Sequence, residues 1–277
     1  MLSYKHGYHA GNQADVLKHI CLIQAYKSLK KHHNSISYID THAGSGDYDF
    51  KSDYMSKNKE YENGINNLEN YKYENQSIKF YLKVIRNINN SKKLSFYPGS
   101  PSIISYLSDN SDKLSFYELH NNEFQLLKKN LSKQINAKVF NKDGFDFTNQ
   151  KINSNEKTLV LIDPSYEIKD DFEKVVNTLR ILDIEHANLT ALIWYPVLNI
   201  EKNDIFIENI RKIGSNRITR IELPVKKYDE EVGMKGSGII LFDGSPYLIN
   251  LIRDCVRELY LLLKDEYCNI KPKIQKL

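Results

Sequence analysis

Short apolar runs that end in an acid, each followed by a helix-forming stretch, constrain this chain more than any other feature. The clearest is Leu159-Val160-Leu161-Ile162-Asp163-Pro164-Ser165-Tyr166. Four consecutive apolar residues, two of them β-branched, suit a strand buried on both faces, as in a parallel sheet. Open α/β sheets hold their ligands in the crevice beyond the C-terminal strand ends. Asp163, Pro164 and Tyr166 therefore stand where chemistry is expected. A carboxylate that accepts from an N–H, a proline that stiffens the turn and a flat aromatic face suit a planar ring bearing an amino group. The plainer alternative is a strand-ending Asp-Pro turn with a core tyrosine.

The rest of the chain repeats the pattern. Apolar residues Val16, Leu17, Ile20, Ile23 and Leu29 have helical spacing and predict a helix over 13–33. Ahead of it lies a glycine-punctuated arm rich in aromatic and basic residues, 4–12, of the kind that stacks on bases and pairs with phosphates. Residues 1–33 hold five lysines against the single acid Asp15, and five of the eight histidines. A solvated basic helix face would also account for that bias. A strand at 36–40 then ends in Asp40, followed by Thr41-His42-Ala43-Gly44-Ser45-Gly46. Two glycines one residue apart let a backbone come close to a bound cofactor, although the third glycine of a dinucleotide fingerprint is missing.

The next acid-ended strand, 114–118, closes on Glu118 and comes too late for a standard βαβ unit. The stretch 51–97, with nine Lys/Arg and five Asp/Glu, is thus expected to be an inserted helical subdomain with helices at 61–71 and 77–88. Tyr97-Pro98-Gly99-Ser100-Pro101 breaks the chain and puts Ser100 near the N-terminus of a helix over 102–107. A helix is expected over 121–134. A strand at 137–140 leads to Asp143-Gly144, which suits an adenine amino group and is equally a common turn dipeptide. Beyond Asp163 the pattern gives helices at 171–184 and 204–213, strands at 190–195, 217–223 and 238–242, and a last helix over 246–263. The final two strands have only a glycine-bearing loop between them and are expected to pair antiparallel at one edge. The fold class that follows is α/β, a Rossmann-like seven-stranded sheet whose last strand runs antiparallel, forming a single domain over 1–277.

Composition excludes some classes. The apolar runs are too short to span a bilayer, and Met1-Leu2-Ser3-Tyr4-Lys5-His6 has no signal-peptide core. Three cysteines without paired spacing point to a reducing, cytoplasmic setting and to no metal centre, since His6/His9 and His32/His33 lack companion ligands. A net charge of +4 does not by itself identify a nucleic-acid binder.

Taken together, Asp40 with Gly44 and Gly46, Glu118, Asp143 with Gly144, and Asp163 to Tyr166 fall in the chain order of a class I methyltransferase. The set resembles the adenine-N6 methyltransferases, in which a glycine-rich loop precedes an Asp/Asn-Pro-Pro-aromatic motif. The segments 1–6, 9–12, 15–19 and 40–46 are similar to the RlmJ family, as are Tyr97 to Pro101, Glu118-Leu119-His120, Asp143-Gly144-Phe145 and Trp194-Tyr195-Pro196-Val197. The resemblance runs from residue 1 to about 242. It implies S-adenosylmethionine-dependent methylation of the exocyclic amine of one adenine in 23S ribosomal RNA; a monomer is the expectation, although the sequence itself is silent on oligomeric state.

By that resemblance His19, His42, Ser100, Glu118, Asp143, Gly144 and Asp163 surround the cofactor, while Tyr4, His6 and Lys18 face the RNA. Glu118 suits ribose hydroxyls. Asp163, with the carbonyl of Pro164, would accept from the amine, and Tyr166 would stack on a flipped base. One departure is plain: Ser165 stands where the motif has a second proline, so a looser turn is expected, at a cost of about 1 kcal/mol or less. The alternatives are a methyltransferase acting on DNA adenine or on a protein glutamine, and an RNA-binding homologue that has lost catalysis. A nicotinamide-dependent oxidoreductase is disfavoured by the incomplete glycine fingerprint.

Overall fold

In a computed structural model of the chain, residues 6–91, 93–149, 152, 155–168, 170–198, 200–227 and 233–277 are described. The strands are β1 (Ile36–Asp40), β2 (Asp47–Asp49), β3 (Phe96–Pro98), β4 (Lys113–Tyr117), β5 (Ala137–Phe140), β6 (Lys157–Ile162), β7 (Leu189–Val197), β8 (Ile218–Pro224), β9 (Gly236–Phe242) and β10 (Lys273–Lys276). The helices are α1 (Gln13–Lys30), α2 (Asp53–Asn58), α3 (Ile65–Asn70), α4 (Gln76–Asn89), α5 (Ser100–Leu107), α6 (Asn121–Asn130), α7 (Asp170–Glu185), α8 (Ile200–Arg211) and α9 (Pro246–Leu263).

Eight strands form the main sheet in the order β10-β8-β9-β7-β6-β1-β4-β5. β6 is parallel to β1 and β7, and its residues 158–162 are all buried. Side chains alternate across a sheet. Leu159 and Leu161 therefore join the core under α1, α4, α5 and α9, while Val160 and Ile162 join the core under α7 and α8. Burying a side chain of this size contributes about 1.5–3 kcal/mol. β1 sits where the strand order reverses, with β4 on one side and β6 on the other, so a crevice opens at the C-terminal ends of all three.

Eight strands replace the expected seven. β10 adds antiparallel to β8 at the sheet edge. Its sequence, Lys273-Ile274-Gln275-Lys276, is short and charged like many protected edges, and carries little strand signal. β8 and β9 do pair antiparallel, but β9 lies between β7 and β8 rather than at the rim.

α1 is not a half-solvated basic helix. Its residues 14–26 are all buried, Lys18 and His19 among them, because the helix is packed between the sheet and α4, α5 and α9. Asn12 caps it by accepting from the N–H groups of Ala14 and Asp15 at 2.9 and 3.1 Å. The stretch 51–97 contains α2, α3, α4 and most of β3, and the helix expected over 61–71 is interrupted. The cause is Gly64, where a Cβ would lie 2.1 Å from the carbonyl oxygen of Gly11. The Gly11 carbonyl instead takes a hydrogen bond from the N–H of Ile65 at 2.9 Å, so the arm and the insert lock together there.

Candidate active site

The crevice beyond β1, β4 and β6 divides into two cavities that share one wall. The first is lined by His19, His42, Gly44, Ser100, Glu118, Asp143 and Gly144, together with Thr41, Tyr48, Phe145 and Lys174. The second, about 640 Å³, is lined by Tyr166, Trp194 and Pro196 together with Asn63, Asn67, Lys226 and Lys264. His6, Lys18, Asp163 and Ser165 face both.

In the first cavity Glu118 is held by two backbone donors, the N–H of Gly44 at 2.8 Å and that of His120 at 2.6 Å. A carboxylate has further lone pairs available to hydroxyl donors. Burial raises its pKa, and the two N–H groups pull the other way. Gly44 is required here: its φ is +61°, and a Cβ would meet the Tyr48 hydroxyl at 2.1 Å. Gly46 does something else. Its carbonyl accepts from the N–H of Gly99 at 2.6 Å, so it joins β2 to the start of α5 and does not line the cavity.

Asp143 caps its own turn by accepting from the N–H of Phe145 at 3.0 Å, with the Lys174 ammonium at 3.4 Å. Gly144 packs so closely that a Cβ would lie 1.8 Å from the Thr41 carbonyl oxygen. His42 Nδ1 pairs with the Thr41 hydroxyl oxygen at 2.7 Å, and the His42 ring meets Phe145 edge-on. Burial lowers its pKa to about 4. His19 pairs through Nδ1 with the Tyr97 hydroxyl at 2.7 Å and stacks on that ring. Burial lowers its pKa to about 3, so it is a neutral wall. Ser100 opens α5 beside it, buried.

On the shared wall, Lys18 donates to Asp163 Oδ2 at 2.5 Å and to Asp15 Oδ1 at 2.7 Å. Expected as an RNA contact, Lys18 is 3% exposed, its ammonium enclosed between two carboxylates. Burial alone would lower its pKa, but Asp15 and Asp163 reverse that and hold it well above the usual ammonium value. Burial raises Asp163, and Lys18 pulls it back. His6 Nε2 lies 3.0 Å from Asp15 Oδ2, and its ring is tilted against Tyr48. Tyr4 lies outside the described residues.

Pro164 is buried and lines neither cavity. Tyr166 has a left-handed backbone, φ +55°, which costs roughly 1–3 kcal/mol and persists only where neighbours fix it. Two bonds do so: its N–H donates to Asp171 Oδ2 at 3.1 Å, and its hydroxyl donates to the Trp194 carbonyl at 2.6 Å. Phe172 packs on the ring, at 4.5 Å between centroids. Asp171, Trp194 and Asp15 were given no site role from the sequence, although the segments 15–19 and Trp194 to Val197 carry the family resemblance; Trp194 lies within β7 and is the sole tryptophan, a signal that was available.

The cleft suits S-adenosylmethionine by its donor set: a carboxylate with spare lone pairs at the end of β4, a second acid after β5, and a third between the cleft and a wider cavity. With the strand order, this defines a class I S-adenosylmethionine-dependent methyltransferase. Residues 33–266 match the family described as ribosomal RNA large subunit methyltransferase D, RlmJ. The curated "Ribosomal RNA large subunit methyltransferase J" of Haemophilus influenzae is 36% identical over 245 residues, 88% of this chain and 87% of that one. Its Escherichia coli namesake is 35% identical over 244 residues, with the same shares covered. A crystal structure of protein LPL1258 from Legionella pneumophila superposes with a TM-score of 0.86 at 30% identity, covering 97% of this chain and 98% of that one. The chain belongs to the RlmJ family, and it is a ribosomal RNA methyltransferase.

Proposed function

We propose that this enzyme methylates the N6 amine of a single adenine in 23S ribosomal RNA, with the base turned out of its helix into the cavity beside Asp163. The observation that carries this reading is the position of Asp163 on the wall between a carboxylate-rimmed cleft and an aromatic-lined cavity. Bound in the cleft, S-adenosylmethionine supplies an electrophilic methyl group. Glu118 then holds ribose hydroxyls, Asp143 and the Gly144 backbone meet the adenine end, and His19, His42 and Ser100 shape the walls.

An exocyclic amine is a poor nucleophile because its lone pair is delocalised into the ring. Orientation is therefore the main task, and it can lower the barrier by several kcal/mol. Asp163 gives Oδ2 to Lys18, leaving Oδ1 to accept one amine N–H and to take that proton as the N–C bond forms and the methyl's bond to sulfur breaks, the donor leaving as a neutral thioether. Pro164 stiffens the turn that presents it. Tyr166, with Trp194, offers the base an aromatic face. His6 faces this wall and contacts the RNA, and Tyr4 is assigned the same role by the family resemblance. The basic insert over 51–97 meets flanking RNA. Action as a monomer belongs to the same reading. The enzyme would work in the cytoplasm, where ribosomal RNA is made; among the described residues no helix is long and apolar enough to cross a membrane.

The test is methyl incorporation into unmodified ribosomal RNA, duplex DNA and protein side by side, followed by nucleoside mapping. N6-methyladenosine at one position of the large-subunit RNA is expected. Label on cytosine, or on protein alone, refutes the reading.

A further inference from the structure

Asp15 is the buried group that the reaction outlined above does not yet use. It is 1% exposed, and its carboxylate gathers three donors: Lys18 Nζ on Oδ1 at 2.7 Å, and on Oδ2 both His6 Nε2 at 3.0 Å and the Gly11 N–H at 2.8 Å. Through Lys18 it reaches Asp163, whose Oδ2 takes the same ammonium at 2.5 Å. One cation thus stands between two carboxylates, one buried and one facing the cavities. We infer that Asp15 is a positioning residue for methyl transfer: it divides the charge of Lys18, so that Asp163 is held in place by the ammonium without being neutralised by it.

The physical reason is a matter of charge. A carboxylate paired alone with a buried ammonium is a weak base, because an opposite charge at 4–6 Å or less stabilises its ionised form strongly. Asp163 must do two things that conflict. It must stay fixed against the amine, which favours a tight ion pair, and it must still accept a proton, which a tight ion pair opposes. A second carboxylate on the far side of the ammonium reconciles them. It also anchors the ammonium, since Gly11 N–H and His6 fix Asp15 in turn. The other titratable groups facing Asp163 are His6 from the arm, Asp40 and Tyr38 from β1, and Tyr166 from its own loop. Among these, Asp15 and Asp40 are the carboxylates that push Asp163 towards its neutral form. Of the two, only Asp15 does so while also touching Lys18.

The inference rests on Asp163 as acceptor, and the experiment separates the two. The pH profile of kcat/KM for methyl transfer to ribosomal RNA is measured in the wild type and in Asp15→Asn, Asp15→Glu and Asp163→Asn. Asp15→Asn keeps the shape and loses the charge. Its acid limb is expected about one pH unit lower, the size of effect a neighbouring charge has. Its plateau kcat is expected to fall about threefold or more as Asp163 becomes a poorer base. Asp15→Glu keeps the charge, so its limb is expected to stay at the wild-type position. A merely structural role would lower the melting temperature and leave the limb in place, and that result overturns the inference. So does a limb in Asp15→Glu that moves as far as in Asp15→Asn.

If Asp15→Asn does not fold, the same profile is measured for Asp15→Ser, which is neutral and can still accept from the Gly11 N–H that Asp15 holds at 2.8 Å. Its limb is expected below the wild-type position, and a limb at the wild-type position overturns the inference. Full activity in Asp163→Asn would instead defeat the acceptor role itself. An inactive Asp163→Asn with an unmoved limb in Asp15→Asn defeats only the role given to Asp15.

Discussion

Replacing Gly144 by alanine tests how the cofactor cleft is built. Gly144 begins the short 3-10 helix Gly144–Asn149 that follows Asp143. A Cβ there would stand 1.8 Å from the Thr41 carbonyl oxygen, 2.5 Å from its carbon and 2.7 Å from its Cβ. None of these is the free end of a flexible side chain, so backbone must move. Thr41 resists, since its N–H and hydroxyl both donate to the Leu161 carbonyl, at 3.0 and 3.1 Å. Overpacking of this kind costs about 1–3 kcal/mol. In a chain of this size that corresponds to a fall in melting temperature of roughly 2–12 °C, at 2–4 °C per kcal/mol. The same displacement shifts Asp143 and His42, which both line the first cavity. A loss of about 1.4 kcal/mol there weakens cofactor binding tenfold.

Calorimetric titration with S-adenosylmethionine and a thermal melt measure both effects. Gly214→Ala is the control. Gly214 has φ +73° and nothing within 4 Å of an added Cβ, so it carries the backbone cost alone and no loss of cofactor affinity. Wild-type stability and wild-type affinity in Gly144→Ala would refute the close approach on which the cleft depends.

Three further outcomes are expected. Burial raises the pKa of Asp163 above the ordinary 3.8, and its ionised form is the one that accepts. Activity should therefore fall with a one-proton slope as pH drops through a value above 3.8, and a pH–rate profile flat to below that value would contradict the assignment. His19, held to about 3 by burial, should show no imidazole titration by NMR between about pH 5 and 8, where an ordinary histidine gains its charge. Tyr166→Phe loses the bond to the Trp194 carbonyl at 2.6 Å, worth about 0.5–1.5 kcal/mol of stability, while keeping the ring. Its KM for RNA should hold within about twofold, whereas Tyr166→Ala should raise KM about tenfold, since base stacking contributes about 1–3 kcal/mol.

The strand that carries Asp163 was readable because burial on both faces leaves a nearly unbroken apolar run. β1 and β5 fall where the pattern put them, and the acid after β4 and β6 marks the crevice. What stayed hidden has physical causes. Lys18 and His19 look like surface residues, and only the three-dimensional packing of α1 shows them buried and neutralised by partners or by desolvation. Gly44 and Gly46 share a spacing that lets a backbone approach a cofactor, yet the Gly46 carbonyl is taken by Gly99 from a distant segment. The break at Gly64 is set by Gly11, 53 positions earlier by sequence number, and no local propensity records such a contact. β10 has too few apolar residues to announce itself. Asp15 sits in a helix pattern that any acid could fill, and its meaning lies entirely in the donors that converge on it.

The central claim is that Asp163 accepts the amine proton at the meeting point of the two cavities. Single-turnover methyl transfer to a ribosomal RNA fragment, in the wild type and in Asp163→Asn, tests it most directly. The variant is expected to bind the RNA within about threefold of wild type and to transfer methyl at least about a hundredfold more slowly, the usual contribution of a positioned base. Transfer within about threefold of the wild-type rate would contradict the account.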